Sequence, residues 1–445
     1  MTLVRTVIMA KLFDVKTIFF GVLMLVGALL HAQPIDIVLW HVMAGHLGTE
    51  LTQLTDDFNS RQQEYRIKPV YKGDYTEVLT SFAAAFRAQH PPALVQIAEV
   101  GTATMLSPRG IIKPVDEIMQ EHGLSVPVQD FFPAVRRYYS RDNRLMAMPF
   151  NISVPILYYN ADKLAEFGVA ADSLPRTWDS LEHLAKRLQQ AGLPCVYTSA
   201  YPAWILVESF LASHGLAARS ADGMRVFTPP LLLAHFTRLE RWQRLHWFEY
   251  GGRDDDPTVL FTSGHCQFFS HSSGVYQSLV ATAPFHVGIM PLPRNSLLSA
   301  QYSNVVGGAA LWAVAGQEPS VYAGIAQFFA YLSEPQVQAR WHQRTGYLPL
   351  GVQGQYKALA HAVVGDSTLA MAIIELAHVG DVVEADNNRQ SSLKNAQMQI
   401  RRIYDEALEA MFAGMKSPAD ALADAALLAN TALIRFMQNT VGSDS

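Results

Sequence analysis

Glu99 stands directly after the apolar run Ala93-Leu-Val-Gln-Ile-Ala98. A carboxylate at a strand end can work as a general acid or base, or accept hydrogen bonds from ligand hydroxyls. Glycoside hydrolysis needs a second carboxylate, which need not be near along the chain. Two other segments suit an anion. Ser270-His-Ser-Ser-Gly274 follows the apolar Gln267-Phe-Phe269 and precedes a helical stretch. Hydroxyls and free N–H groups at a helix start bind phosphate or carboxylate. Val305-Val-Gly-Gly-Ala309 puts two glycines at a strand start, where backbone approaches a ligand closely. Taken alone, each of these segments reads more simply as a turn. Other chemistry is not written in the sequence. P-loop, dinucleotide, nucleophile-elbow and H-E-x-x-H motifs are missing. The 15 histidines are scattered, with no Cys/His pair at zinc spacing. Asp254-Asp-Asp256 lacks EF-hand spacing, runs into Pro257, and reads as a solvated loop.

The elements that must position these groups follow from periodicity. Ile35–His41, Tyr65–Tyr71 and Ala93–Ala98 read as strands, with Pro69 placing the second at an edge. Between them, Leu47, Leu51, Leu54 and Phe58, then Val78, Phe82 and Phe86, recur at helical spacing. This alternation predicts a parallel α/β sheet. The pattern resumes with strands at Val154–Tyr159, Phe285–Met290 and Gly308–Val314. Helices are predicted after Thr177, over Ile325–Leu332, from Pro335, and after the Ser417-Pro418 cap. The region 352–395 mixes helical pieces with a polar loop, Asp386-Asn-Asn-Arg-Gln-Ser-Ser392. No Pro/Gly/Ser-rich linker divides the chain. Two α/β lobes joined by crossing strands produce that picture, with crossings placed at Tyr158-Tyr-Asn160 and before Val305.

The chain has 445 residues, half of them hydrophobic, and a net charge of -5. That composition supports large cores and disfavours a nucleic-acid partner. Residues 1–32 carry Arg5, Lys11 and Lys16 before the apolar run Thr17–Leu30, and read as a secretory signal peptide that starts at Met1 or Met9. An uncleaved anchor helix is the alternative. In an exported protein, Cys195 and Cys266 are free to form one disulfide, and the sequence leaves their pairing open.

Several segments together resemble a known family, the solute-binding proteins of bacterial ABC importers in the sugar-binding class. They are Leu39-Trp-His-Val-Met-Ala-Gly45, Tyr71-Lys-Gly-Asp-Tyr75, Glu99-Val-Gly-Thr-Ala-Thr-Met105, Pro149-Phe-Asn-Ile-Ser153, Leu157-Tyr-Tyr-Asn160, Ser272-Ser-Gly274, Gly307-Gly308 and Trp341-His-Gln-Arg-Thr-Gly-Tyr-Leu-Pro349. Gln399-Ile-Arg401 extends the match. The likeness is to the branch that takes glycerol 3-phosphate and glycerophosphodiesters such as glycerophosphocholine. It implies a two-lobed type II periplasmic binding protein with a hinge between lobes, no enzymatic reaction and no cofactor or metal. It also implies a membrane permease pair powered by a cytoplasmic ATPase, and periplasmic localisation. The lobes are expected at 33–152 plus about 300–345, and 153–299 plus about 346–445.

The resemblance also implies ligand residues: Tyr75, Glu99, Ser153, Ser272, Gly308, Tyr347 and Arg401. Arg401 suits phosphate, with Arg402 a close competitor, and Glu99 suits glycerol hydroxyls. The family sandwiches the glycerol with W-x-x-W. Here Tyr201-Pro-Ala-Trp204 keeps the second ring and replaces the first. A choline ammonium would find an aromatic face there by cation–π attraction. Glu99 is expected on one cleft wall and Ser153, Ser272 and Arg401 on the other. An uncharged oligosaccharide as ligand, and an exported hydrolase using Glu99, are the competing readings.

Overall fold

A computed structural model describes residues 33–106, 110–214, 228–295, 305–351 and 396–441, with the single residues 216, 226 and 353. The predicted leader and, apart from residue 353, the 352–395 region with its polar loop lie outside the described residues. The first run builds β1 (Ile35–His41), α1 (Gly45–Ser60), β2 (Tyr65–Tyr71), α2 (Tyr75–Arg87) and β3 (Leu94–Ala98). Their cause is visible in the sequence. Ile37 and Leu39 of β1, Leu51 of α1 and Val78 of α2 are fully buried, so one face of each element joins a common core. Asp74 opens α2 with a capping box, accepting from the Thr76 and Glu77 N–H groups while Glu77 reaches back to its own N–H. That cap places Tyr75 at the first helical position.

After β4 (Met148–Pro149) the chain enters a second sheet through β5 (Pro155–Asn160), α3 (Trp178–Gln190), β6 (Cys195–Ser199), α4 (Pro230–Arg244), β7 (Cys266–Ser272), α5 (Tyr276–Thr282) and β8 (Val287–Met290). It then returns to the first sheet as β9 (Ala309–Ala313), followed by α6 (Pro319–Leu332) and α7 (Pro335–Thr345). The last helices, α8 (Gln397–Phe412) and α9 (Pro418–Val441), pack on the second core. Ser417 caps α9, its hydroxyl accepting from the Asp420 N–H.

The first sheet runs β2-β1-β3-β9-β4 and the second β8-β5-β7-β6. Neither is purely parallel. The β1–β2 and β1–β3 pairs are parallel, but β9 is antiparallel to β3. The reason is topological. β3 runs towards the cleft and ends just before Glu99, whereas β9 arrives from the second lobe and runs away from it. A strand supplied by the other lobe must enter in the opposite sense.

The crossings also differ from expectation. Tyr158-Tyr-Asn160 lies inside β5, paired with β7 and β8. The chain crosses earlier, where Ser153 pairs with Gly307 and Ile152 with Leu348. Three antiparallel segments therefore make the hinge: residues 151–154, 305–308 and 347–350. Main-chain bonds from Ser153 N–H to Gly307 O (3.1 Å), Gly307 N–H to Ser153 O (2.9 Å) and Leu348 N–H to Ile152 O (2.7 Å) hold it together.

Cys195 and Cys266 form a disulfide. They are register partners on the adjacent parallel strands β6 and β7. The parallel pairing that aligns the strands also aligns the two sulfurs.

Candidate ligand-binding site

The cleft between the lobes is built from three sides. On the first-lobe side, β3 delivers Glu99, which is 3% exposed. Its N–H donates to the Gly308 carbonyl (3.0 Å). On the second-lobe side, a wide π-helical turn over Ala203–Ser209 carries Trp204 and Glu208. The Asp405 carboxylate accepts from the Ala203 N–H at its start (2.8 Å). Arg401 lies four residues earlier on α8, on the same face as Asp405. The floor is the hinge, with Asn151, Ser153, Gly307, Gly308 and Tyr347.

Arg401 ties the walls together. Its Nη1 donates to Glu99 Oε1 across the cleft (2.8 Å), and Nε and Nη2 donate to the two Glu208 oxygens (3.0 and 2.7 Å). The guanidinium is thus held by one carboxylate from each lobe. Arg402 points outward, is 69% exposed, and pairs with Glu406 one turn on. Of the two arginines, Arg401 alone faces the cleft. Burial pushes the Glu99 carboxyl up, against the pull of Arg401.

The aromatic pair is present but not parallel. Tyr201 and Trp204 meet edge to face, with centroids 6.2 Å apart and planes at 76°. Trp204 is anchored by its Nε1–H to the Val305 carbonyl (3.2 Å), and Gly307 lies beneath its ring. Tyr201 adopts φ 43°, and its N–H donates to the Asp254 carbonyl (2.7 Å). The exposed Asp254–Asp256 turn thus shapes the cleft rim. Burial raises the Tyr201 hydroxyl pKa, with Asp255, Tyr75 and Asp254 adding to it. Tyr201 is a proton donor at neutral pH.

Tyr347 stacks on Trp341 (6.0 Å, 9°), and its ring occupies the place where a Cβ on Gly274 would sit. Ser272 ends β7, its hydroxyl accepting from the Gly274 N–H (3.1 Å). Ser153 stands on neither wall, contrary to expectation, because its backbone is part of the crossing itself. Gly308 has φ +108°, and a Cβ there would meet the Asn151 oxygen at 1.9 Å. Gly308→Ala is therefore expected to destabilise the fold by about 2 kcal/mol or more, through strain and backbone clash. Urea unfolding checks it, and a wild-type midpoint would show that the hinge adapts freely.

Sequence reasoning missed an amide ladder under this site. The Val42 N–H donates to Gln96 Oε1 (3.0 Å), Gln96 Nε2 to Asn151 Oδ1 (2.9 Å), and Asn151 Nδ2 to the Tyr75 hydroxyl (3.2 Å). A signal existed. Gln96 is the one polar residue inside an apolar strand, and a fully buried amide must be partnered. Glu208 carries the same signal, as the lone charge in the buried apolar run Ala203–Leu211, whereas Asp405, beside Arg401, Arg402 and Glu406, does not.

Residues 53–352 match the family of bacterial extracellular solute-binding proteins. The chain is 34% identical to the sn-glycerol-3-phosphate-binding periplasmic protein UgpB of Pectobacterium atrosepticum, over 91% of this chain and 93% of that one. The UgpB of Escherichia coli K12 is also 34% identical, covering 92% and 95%. The chain belongs to the bacterial extracellular solute-binding proteins. Members of this family bind solutes for importers and are not enzymes. The two-lobed fold agrees with solved structures. UgpB from Mycobacterium tuberculosis in complex with glycerophosphocholine superposes with a TM-score of 0.76 at 20% identity, covering 91% of this chain and all of that one. The GacH receptor of Streptomyces glaucescens gives 0.74 at 17%, covering 90% and 99%. Among the described residues no helix is long and apolar enough to cross a membrane.

The electrostatics of this solute-binding protein make its stability depend on pH. Burial lowers His271 to about 3 and His41 to about 4, so both are neutral when folded. Burial raises Asp405 to about 7. The signs oppose. Between pH 6.5 and 4 the unfolded chain binds the protons that folded His41 and His271 refuse, and burial lowers His214, His235 and His342 in the same direction, so stability falls on acidification. Over the same range folded Asp405 holds a proton that the unfolded carboxyl releases, which offsets one of them. Asp405→Asn is expected to keep the Ala203 contact and steepen the acid loss by about 1.4 kcal/mol per pH unit. Urea titrations at pH 4.5, 5.5 and 6.5 test this, and an unchanged slope contradicts it.

Proposed function

We propose that this chain captures sn-glycerol 3-phosphate and glycerophosphodiesters in the interlobe cleft, in the periplasm. It would deliver them to a membrane permease pair driven by a cytoplasmic ATPase. The lobes would divide at residues 33–152 plus about 300–345, and 153–299 plus about 346–445, a division supported by the strands each sheet recruits. The observation that carries the reading is Arg401, poised between Glu99 and Glu208 beside Tyr201 and Trp204.

Phosphate oxygens would take the Arg401 donors now spent on Glu99. The freed Glu99 carboxylate would accept the glycerol hydroxyls. Ser153, Ser272, the Gly308 N–H and the Tyr75 and Tyr347 hydroxyls would supply neutral donors. Trp204 and Tyr201 would cover the carbon chain. Contacts made from both lobes at once favour the closed arrangement, which is how a ligand shifts the population. The relatives named for sn-glycerol 3-phosphate and the solved complex with glycerophosphocholine support both ligands.

Charge favours the diester. Glu99, Glu208 and Asp405 crowd one guanidinium, and Asp255 acts on the Tyr201 and Tyr347 hydroxyls. A monoester brings two negative charges into these carboxylates. A choline diester brings one, with an ammonium for the acidic, aromatic end. Calorimetry should show saturable binding of both phosphate ligands, none of maltose, and glycerophosphocholine tighter by about tenfold, equivalent to about 1.4 kcal/mol. Maltose binding alone would replace the reading with a sugar carrier. Tighter binding of glycerol 3-phosphate would overturn the charge argument.

A further inference from the structure

A second cluster lies at the opposite end of β6 and β7 from the cleft. Cys195 and Cys266 open the two strands. His265 directly precedes Cys266, and its Nε2 bonds Glu249 Oε2 (2.7 Å). Glu249 is brought alongside by a short bridge between Phe248 and Tyr197. Its N–H donates to the Tyr197 carbonyl (3.0 Å), and the Glu249 carbonyl accepts from the Thr198 hydroxyl (2.8 Å). The Gln267 amide donates to the Gly264 and His265 carbonyls, bracing the loop. The ligand atoms of Cys195, Glu249, His265 and Cys266 all lie within 4.8 Å of one another.

We propose that these four residues form a redox-gated zinc site. Two thiolates, an imidazole and a carboxylate are a tetrahedral zinc set, with ligand atoms about 3.3–3.8 Å apart around a metal at 2.0–2.3 Å. The present spacing reaches that arrangement by side-chain rotation once the sulfurs are unbonded. Both sulfurs are buried, whereas His265 and Glu249 are 37% and 39% exposed and offer the entry path. The chemistry balances. In the reduced chain, zinc binds the two sulfurs as their thiol protons leave. When a disulfide oxidant takes two electrons from the thiolates and two protons from water and becomes a dithiol, the Cys195–Cys266 bond forms and zinc is released. A dithiol reductant reverses the step. The bridge and the metal are alternative clasps for the same pair of strands.

The test compares reduced and disulfide-bonded protein, the reduced form being made without export in a reducing cytosol. Cobalt(II) serves as a spectroscopic probe and zinc(II) as competitor. The reduced protein is expected to bind one cobalt with thiolate charge-transfer and tetrahedral ligand-field bands, which zinc erases, and the oxidised protein to show neither. His265→Ala and Glu249→Gln should each weaken zinc binding by about tenfold or more while leaving binding in the cleft unchanged. Equal metal binding by both redox forms, or by the His265→Ala variant, would overturn the proposal. Should reduction alone unfold the chain, zinc must restore its circular dichroism and raise its melting temperature. Failure to do so overturns the proposal equally.

Discussion

Replacing Arg401 by alanine is expected to weaken binding of glycerophosphocholine by about a hundredfold or more. Removing one partner of a buried, hydrogen-bonded charge pair costs about 2–5 kcal/mol, because the other charge is left buried and unpaired. Here two carboxylates are stranded, Glu99 and Glu208, and among the described residues no second guanidinium bonds either of them. Arg401→Lys should recover only part of the loss, since an ammonium cannot serve two Glu208 oxygens and a phosphate in one plane. Arg402→Ala is the control, expected to bind as the wild type because its side chain is in solvent. Calorimetry on the three variants reads the result. Wild-type affinity in Arg401→Ala would remove phosphate recognition from this residue.

The second large effect is on stability. Removing the bridge with Cys195→Ala and Cys266→Ala together is expected to cost about 4 kcal/mol, from the chain entropy of a closed loop of this length. The sequence separation of the two cysteines is 71 residues. Both sites are fully buried, so small cavities add to the loss. Urea unfolding should show a lower midpoint. Binding should persist, because the bridge and Ser199 lie at opposite ends of β6, about 13 Å apart at the rise of a strand. A loss under about 1 kcal/mol would mean that the sheet register alone holds these strands.

The sequence by itself determined many of the elements, though not α4, α8, β4, β6 or β7. Period-2 and period-3.6 patterns located β1, α1, β2, α2 and β3, and the Thr177 and Ser417 caps placed two helix starts. These are local decisions, made by propensity, capping and the face that must be buried. Ordered, specific segments also carried the family resemblance, and with it the candidate residues from Tyr75 to Arg401.

The tertiary structure decided everything that depends on which distant segments meet. Whether β9 runs parallel or antiparallel depends on the lobe it comes from. Ser153 belongs to the hinge because Gly307 lies opposite it. Arg401 rather than Arg402 faces the cleft because α8 buries Ile400, Ile403 and Tyr404, fixing its rotation. Asp405 sits in a polar context that resembles any surface helix until the π-helical turn and α8 pack together, and Glu208, though marked as a lone charge in an apolar run, has no partner named by the sequence. Cys195 and Cys266 carry no sign of pairing until parallel strands put them in register. A periodic pattern reports the environment of a residue's own element. It holds no record of the partner across a cleft, because that partner is chosen by packing between segments hundreds of residues apart.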